Sequence, residues 1–384
     1  MSYVISGLLL ILILLYGKVN NKTISFALLV IGGGLFPMLN VDASLTLYAK
    51  MYLVMLPLSV IFIEKLLEGG KSSLFGFFFR YSNIMGLLAL SSLFFWIFGS
   101  LLEIIPYTFI IPNDWFDDRF IPSYYGIYFE TQNNLLANTT FMGSDSVIRN
   151  SGFFNEAPMY NMNLCFALSI ELYLRQNKSL LRIILFVVTI LTTFSSTGYF
   201  FLLINVMIYM FFTLRNKKSG MSLLIIPFVL IIGLSLSSSI LENKQETGES
   251  SYNHRYEDIV KCIEVGLNNP IIGVGIFHPA KESGGNDTNY GFSNSLFTTF
   301  AHGGFYFFFL YFFSLFIVPF SFLKETRKKW PVFLLCYFFL FTFTLSQYWH
   351  LTLFMVALGL ACFHKKQSIL SYGNECRKLA VIND

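Results

Sequence analysis

The sequence predicts an all-α polytopic membrane protein with about eleven transmembrane helices (10–12) and two long extracytoplasmic loops. Three observations predict this class. Hydrophobic residues make up 55% of the 384-residue chain and charged residues only 12%, whereas soluble domains carry about 25% charged residues. Apolar runs of membrane length recur along the whole chain. Lysine and arginine are concentrated in alternate connections between those runs, as in multi-pass membrane proteins.

The apolar runs predict eleven spans within a single integral-membrane domain, residues 1–384. In chain order the spans cover residues 2–16, 24–40, 45–64, 83–105, 158–174, 180–194, 197–214, 221–240, 296–323, 331–346 and 349–364. Some are shorter than the roughly 20 residues that a bilayer core of about 30 Å requires. The stretch 180–214 is therefore either two short helices or one long kinked helix. The first span is predicted to be a retained helix, because no basic segment precedes it.

The basic residues predict the orientation of the chain. Of the 26 lysines and arginines, 19 lie in one set of connections, which is therefore assigned to the cytoplasm. The two long loops, 106–157 and 241–295, then lie on the outer side of the membrane. The net charge of +4 is not gathered in one patch, so nucleic acid is not an expected partner. Histidine and cysteine do not cluster, so a structural zinc site is not expected either.

The first long loop places Arg149 shortly before a predicted helix that starts near Pro158. Gly152 permits a tight turn between them, and Asn155 can cap the helix. An arginine beside a helix N-terminus makes an anion site, and its planar guanidinium suits a diphosphate. The alternatives for Arg149 are a snorkelling interfacial arginine or an ion pair with Glu156. Glu156 itself is either a general base or a carboxylate that the helix dipole favours.

The first long loop is also rich in aromatic residues. They are Tyr107, Trp115, Phe116, Tyr124, Tyr125 and Tyr128. Such residues form a belt at the membrane interface or stack on sugar rings, and both interpretations stay open.

The second long loop is predicted to carry an amphipathic helix over residues 255–267. Ile259, Ile263 and Leu267 recur at helical spacing and would share one face. The sequence Asn268-Asn269-Pro270 is predicted to end this helix.

Five further residues of the second loop and the following span are candidates for function. Arg255 opens the predicted helix, where it binds phosphates at headgroup depth or joins a surface ion-pair network. Gly273 and Gly275 let the backbone approach a ligand closely. His278 follows them and is either incidental or a base. His302 lies within a predicted span, where an ionisable group is a functional hypothesis by default, although a packed neutral histidine fits equally well.

These motifs together resemble the O-antigen polymerase and ligase superfamily, which contains bacterial membrane glycosyltransferases of the GT-C type. The resemblance covers about residues 145–320. It rests on four short motifs that follow one another in the family's order. They are Arg149–Pro158, Ser195–Gly198, the segment from Arg255 to NNPIIGVG, and SNSLFTTFAHGG at 293–304.

The resemblance implies that the chain polymerises undecaprenyl-diphosphate-linked repeat units into a surface polysaccharide, O-antigen or capsule, at the outer face of the bacterial inner membrane. It implies no metal and no cofactor, and a chain-length regulator as a possible partner besides membrane lipid. Arg149 and Arg255 match the family arginines that hold the diphosphate. The general base stays open between Glu156, His278 and His302, and the substrate-binding set includes Asn294, Gly273 and Gly275.

Two other functions are weighed against polymerisation. One is a ligase that transfers finished glycan to lipid A-core. Where the ligase branch often has His-Asn before its late helix, this chain has Ser293-Asn294, and a serine cannot act as that base. The other is a flippase or transporter for lipid-linked sugars, which predicts charges within helices and inverted repeats. The sequence shows neither clearly.

Overall fold

The computed structural model describes residues 2–15, 19–39, 45–68, 71–112, 120–131, 148–175, 177–216, 249–275, 295–322 and 352–365. These parts of the chain are mostly helical. The helices are α1 Ser2–Leu15, α2 Asn21–Leu35, α3 Leu45–Tyr48, α4 Leu56–Glu68, α5 Lys71–Phe95, α6 Ala157–Ser169, α7 Leu180–Thr192, α8 Ser196–Asn216, α9 Glu249–Asn268, α10 Ser295–Phe322 and α11 Thr352–Lys365. A 3₁₀ turn, Phe36–Leu39, extends α2. Wider π-helical turns occupy Ala49–Met55, Trp96–Leu101 and Ile170–Leu174.

Three helical segments among the described residues are long and apolar enough to cross a membrane. They are Asn21–Leu39, Gly76–Leu101 and Leu296–Ile317. Shorter apolar helices cover Ser6–Leu15, Leu180–Thr192 and Thr352–Lys365. These helices fit the predicted membrane protein. The predicted spans 221–240 and 331–346 lie outside the described residues.

Residues 180–214 form two helices rather than one kinked helix. Helix α7 ends at Thr192 with Thr193 as its C-cap, and Phe194 adopts a left-handed backbone conformation with φ of 47°. The chain then reverses, and α8 begins at Ser196. The sequence left these alternatives open because each half is short for a membrane span.

The described chain separates into two compact units. The first contains residues within Met1–Gly76, Arg255–Lys328 and Phe341–Asp384. Its helices approach closely where small residues allow it. An added Cβ at Gly34 of α2 would lie 3.0 Å from the Tyr52 carbonyl oxygen, and the Tyr306 hydroxyl of α10 donates to the Gly33 carbonyl at 2.8 Å. Glu64 of α4 pairs with His364 of α11 at 2.6 Å.

The second unit contains residues within Phe77–His254 and Lys329–Leu340. A buried polar cluster joins three of its helices. The carboxylate of Glu171, which is fully buried, accepts from Ser82 of α5 at 2.8 Å. Arg175 and Arg182 approach the same carboxylate at 3.0 and 3.6 Å. Because Arg182 belongs to α7, one carboxylate links α5, the end of α6 and α7.

The sequence predicted only helices, and the first long loop departs from that prediction by forming a small antiparallel sheet. Its strands are β1 Phe109–Pro112, β2 Phe120–Tyr124 and β3 Tyr128–Phe129, in the order β1-β2-β3. Tyr125 and Gly126 both have positive φ, which gives β2 and β3 the tight turn that suits a hairpin. The strands are short, and β1 and β2 contain prolines, so their sequences carry only a weak strand signal.

Candidate functional site

The side chain of Arg149 is fixed at the turn between α7 and α8. Its Nε donates to the Thr193 carbonyl oxygen at 3.0 Å, in the turn that separates α7 from α8. The first N–H groups of any helix lack intrahelical acceptors, and they carry the positive end of the helix dipole. The bond to Thr193 therefore holds the guanidinium at the C-cap of α7, in the turn that leads into these N–H groups of α8.

The residues after Arg149 form a buried scaffold. The Asn150 backbone N–H donates to the Thr192 carbonyl, and its side-chain amide donates to the Thr192 hydroxyl, both at 3.0 Å. The Asn150 side-chain oxygen accepts from the Gly152 N–H at 3.1 Å. Ser151 donates from its hydroxyl to the Phe129 carbonyl at 2.7 Å. These bonds tie the segment to both α7 and the sheet, so the position of Arg149 is set from two sides.

The predicted tight turn at Gly152 is confirmed. Gly152 has a φ of 58°, and an added Cβ would lie 2.8 Å from the ring of Tyr160 in α6. A side chain at this position would therefore be strained in backbone conformation and would collide with the first turns of α6.

Helix α6 starts as predicted at the Pro158 motif, but with a different cap. The N-cap residue is Glu156, in extended conformation, and Pro158 lies in the first turn. The prediction of Asn155 as the cap is wrong, because Asn155 lies one residue too early. The Glu156 side chain makes no capping hydrogen bond to α6. Glu156 is half-buried and stands seven residues after Arg149 in the same compact unit.

The Ser195–Gly198 tip packs on α6. The side-chain amide of Asn161, which is buried, donates to the Ser195 hydroxyl at 3.4 Å. An added Cβ at Gly198 would overlap the Asn161 side-chain oxygen. The first turn of α8 thus packs closely against α6, and the carbonyl that holds Arg149, from Thr193, lies two residues before this tip.

The second candidate region lies in the first compact unit, where a loop enters a broken helix. Helix α10 is interrupted at Gly304, whose φ of 57° and ψ of −163° are not helical. The turn after α9 fills the interruption. Val274 and Gly275 donate to the carbonyls of Ala301 and His302 at 3.0 and 2.9 Å.

The return bonds run from the helix to the loop. The N–H groups of Phe305 and Tyr306 donate to the carbonyls of Pro270 and Ile271 at 2.7 and 3.2 Å. Four backbone bonds to the loop thus replace helical bonds that the break at Gly304 removes, and irregular backbone within a span requires such partners. Since loop carbonyls occupy these N–H groups, the start of the second half of α10 is not itself an anion site.

Glycine is required at two points of this contact. An added Cβ at Gly273 would overlap the backbone of His302 and Gly303, and one at Gly304 would lie 2.5 Å from the Ile271 carbonyl. The missing side chain of Gly273 therefore lets its backbone pack closely onto α10. The structure brings Gly273, Gly275 and His302 together, and His302 is only 6% exposed.

Helix α9 covers the segment that the sequence assigned to an amphipathic helix. Its buried face against α10 differs from the predicted one. Asp258, Cys262 and Gly266 are buried, while Leu267 is 60% exposed. An added Cβ at Gly266 would overlap the Phe300 ring of α10. The face of α9 that packs on α10 is therefore determined by the small size of Gly266 and not by the apolar character of its residues. Arg255 lies on this helix, seven residues before Cys262.

Three other findings complete the site. His278 and Asn294 lie outside the described residues. Among the residues that the structure does describe, no group of three or more His, Cys, Asp or Glu side chains could hold a metal ion. Sequence reasoning missed Glu130, a buried carboxylate that accepts from Ser100 at 2.5 Å and from the Tyr124 hydroxyl at 2.8 Å.

The Glu130 network also determines the state of its tyrosine partner. Burial and the hydrogen bond to Glu130 raise the pKa of Tyr124, so its hydroxyl stays protonated and continues to donate to the carboxylate. The sequence signal that could have found Glu130 is an acidic residue within an aromatic run, but that signal does not show which partner the carboxylate has.

Comparison with known proteins gives one result. A family model described as O-antigen ligase matches residues 181–312, from α7 into α10. This match agrees with the resemblance to the O-antigen polymerase and ligase superfamily. The matched segment contains the Ser195–Gly198 tip, Arg255 and the loop that enters α10, whereas Arg149 precedes it. No curated protein and no solved structure matches the chain.

Proposed function

We propose that this chain is a membrane glycosyltransferase that polymerises lipid-linked glycan repeat units. The proposal starts from the segment that the O-antigen ligase family model matches. The family match supports O-antigen polymerase or ligase activity broadly. The donor is an undecaprenyl-diphosphate-linked glycan on the outer face of the bacterial inner membrane, as the family resemblance implies. The active loops are the two that the charge distribution assigns to that face.

The observation that carries this proposal is the fixed position of Arg149. Its Nε bond to the Thr193 carbonyl holds the guanidinium in the turn between α7 and α8. A planar guanidinium suits a phosphate or diphosphate group. We assign Arg255 the same kind of task, binding of anionic substrate groups.

The chemistry needs charge stabilisation and one proton transfer. A hydroxyl of the acceptor sugar attacks the anomeric carbon of the donor, and a new glycosidic bond forms. The bond from that carbon to the diphosphate oxygen breaks, and the diphosphate leaves with the electron pair. The arginines stabilise its developing negative charge, which is usually the largest catalytic contribution. A base takes the hydroxyl proton, which contributes about 10²–10⁴-fold. We assign this base to Glu156, His302 or His278.

The remaining substrate contacts are assigned to Asn294, Gly273 and Gly275. The structure gives Gly273 a second task, because its backbone packs on α10. Loss of activity on substitution of Gly273 would therefore not by itself identify a ligand contact, so the arginines are the better test.

The test is the surface glycan of a strain deleted for this gene, separated on a gel with and without complementation. A polymerase predicts that the ladder collapses to core plus one repeat unit. A ligase predicts no capped core at all, and a flippase predicts repeat units trapped on the inner leaflet. An unchanged ladder would contradict an O-antigen role for this chain.

Complementation with variants then tests the assigned arginines. Arg149→Ala and Arg255→Ala are each expected to fail to restore long chains. Arg80→Ala is the matched control, because Arg80 is an exposed arginine of α5 outside the proposed site. Membrane levels of each variant are measured by blotting. A full ladder from Arg149→Ala at normal protein level would overturn the assignment of that residue.

A further inference from the structure

An exposed apolar stripe runs along α5 and continues beyond its end. Ile84, Leu87, Leu90 and Phe94 recur at helical spacing, and all are exposed. Gly76–Leu101 is also one of the segments that are long and apolar enough to cross a membrane. In a span, such a stripe faces lipid. The apolar surface does not stop where the helix stops, because Leu101, Leu102 and Ile104 are exposed as well.

The sheet extends this surface. Large apolar side chains are exposed at both ends of its β1-β2 pair, where Phe120 is 69% and Phe109 is 46% exposed. Ile110 next to Phe109 is also exposed. Adjacent strand residues point to opposite faces, so β1 presents apolar side chains on both of its faces. A strand that faces water on one side would alternate apolar with polar residues instead.

The inner end of the sheet is anchored on the end of α5. Tyr124 and Tyr128 are buried, and their rings lie 5.9 and 6.4 Å from the ring of Phe95. An added Cβ at Gly99 would lie 2.5 Å from the Tyr124 ring, so the sheet touches the backbone of the π-helical turn. The apolar surface of the sheet is therefore held next to the lipid-facing stripe of α5.

Charge distinguishes between the possible partners of this surface. Residues 104–112 and 120–129 contain no Asp, Glu, Lys or Arg. A neutral surface with Phe and Ile on both faces of β1 suits lipid better than a glycan, which needs hydrogen-bonding side chains as well as rings. Among the described residues no further strand pairs with β1, and unpaired backbone groups do not occur in the hydrocarbon core, so the sheet is not placed there. Tyrosines favour the headgroup boundary.

We propose that this three-stranded sheet is an interfacial element that lies at the boundary between lipid headgroups and acyl chains, beside the end of α5. Its partner is the phospholipid of the leaflet that this end reaches. The proposal requires only that α5 spans the membrane. It does not rest on glycosyl transfer.

The experiment places the photo-crosslinking amino acid p-benzoylphenylalanine at Phe109 or Phe120 in the full chain, in native membranes. Illumination is followed by mass spectrometry of the purified protein. Phospholipid adducts are expected at both positions, with yields comparable to those at Phe94 on the α5 stripe. The control position is Asn155, an exposed polar residue of the same compact unit. Lipid adducts are not expected there. Glycan adducts, or no adducts, at both positions would overturn the proposal.

A second measurement covers the case in which those variants do not accumulate. Phe120→Trp keeps an aromatic side chain. The fluorescence that this tryptophan adds to that of the wild-type protein is measured in vesicles that contain phosphatidylcholine brominated on its acyl chains. Quenching of that added fluorescence, relative to vesicles without bromine, is expected. Added fluorescence that stays unquenched by bromine but is quenched by iodide in the buffer would refute an interfacial position.

Discussion

Gly304→Ala tests whether the loop after α9 belongs in the break of α10. Gly304 has a φ of 57° and a ψ of −163°, a conformation essentially restricted to glycine. An added Cβ would lie 2.5 Å from the Ile271 carbonyl carbon and 2.7 Å from the Gly273 nitrogen. Those contacts are with backbone, so they cannot be relieved by rotating a side chain. The loop must move, or α10 must close into a continuous helix.

Either response costs free energy of unfolding. Keeping the conformation costs about 1–3 kcal/mol in strain, before any collision. Closing the helix returns Phe305 and Tyr306 to helical acceptors but leaves Val274, Gly275, Pro270 and Ile271 without the four bonds described above. Each buried group left unpaired costs about 1–3 kcal/mol. If two of the four stay buried, the loss is about 2–6 kcal/mol.

The assay is the thermal unfolding midpoint of detergent-solubilised protein. With a typical shift of about 2–4 °C per kcal/mol, Gly304→Ala should lower the midpoint by roughly 4–24 °C. Gly32→Ala is the control, because nothing lies within 4 Å of an added Cβ at Gly32 and it is in a helix. That control should match wild type or exceed it slightly, since alanine is the better helix former. Equal midpoints for Gly304→Ala and wild type would refute the inserted loop.

Three further predictions concern other parts of the structure. Arg149→Lys keeps the positive charge but loses the planar fork and the Nε donor, so polymer synthesis in purified membranes should fall about 10²-fold; activity equal to wild type would mean that charge alone suffices. Glu171→Ala leaves Arg175 without its carboxylate, and because that carboxylate is fully buried the midpoint should fall by the equivalent of about 3 kcal/mol, whereas an unchanged midpoint would show that the cluster is dispensable. Burial raises the pKa of the Cys262 thiol to about 12, so iodoacetamide at pH 8 should modify it only in denaturant. Since burial raises the folded-state pKa of this thiol above its ordinary value of 9.0, the associated stability is present below pH 9 and declines toward pH 12. Rapid modification of native protein at pH 8 would contradict the burial of Cys262.

Local sequence signals predicted the features that depend on few neighbours. Gly152 and Pro158 marked the tight turn and the start of α6, because glycine and proline restrict the backbone wherever they occur. The end of α9 at Asn268 followed from Asn268-Asn269-Pro270 in the same way.

Features that depend on distant partners were missed. The sheet needs β1 and β2 to pair across an intervening segment. Neither strand shows the alternation of apolar and polar residues that predicts a half-buried strand. The buried face of α9 is chosen by the fit of Gly266 to Phe300, which hydrophobic periodicity does not report. The break at Gly304 lies within an unbroken apolar run, so hydropathy alone predicts a continuous helix.

The loop that enters α10 also has a consequence for biogenesis. During synthesis, Pro270 and Ile271 leave the ribosome before Phe305 and Tyr306, so the acceptors exist before the donors that need them. A nascent α10 that entered lipid alone would be favoured as a straight helix, since its own backbone then satisfies every group. The broken form becomes favourable only when α9 and its turn are already in place. We therefore expect α10 to break at Gly304 as soon as it contacts the turn after α9, and to stay a continuous helix wherever that contact is missing.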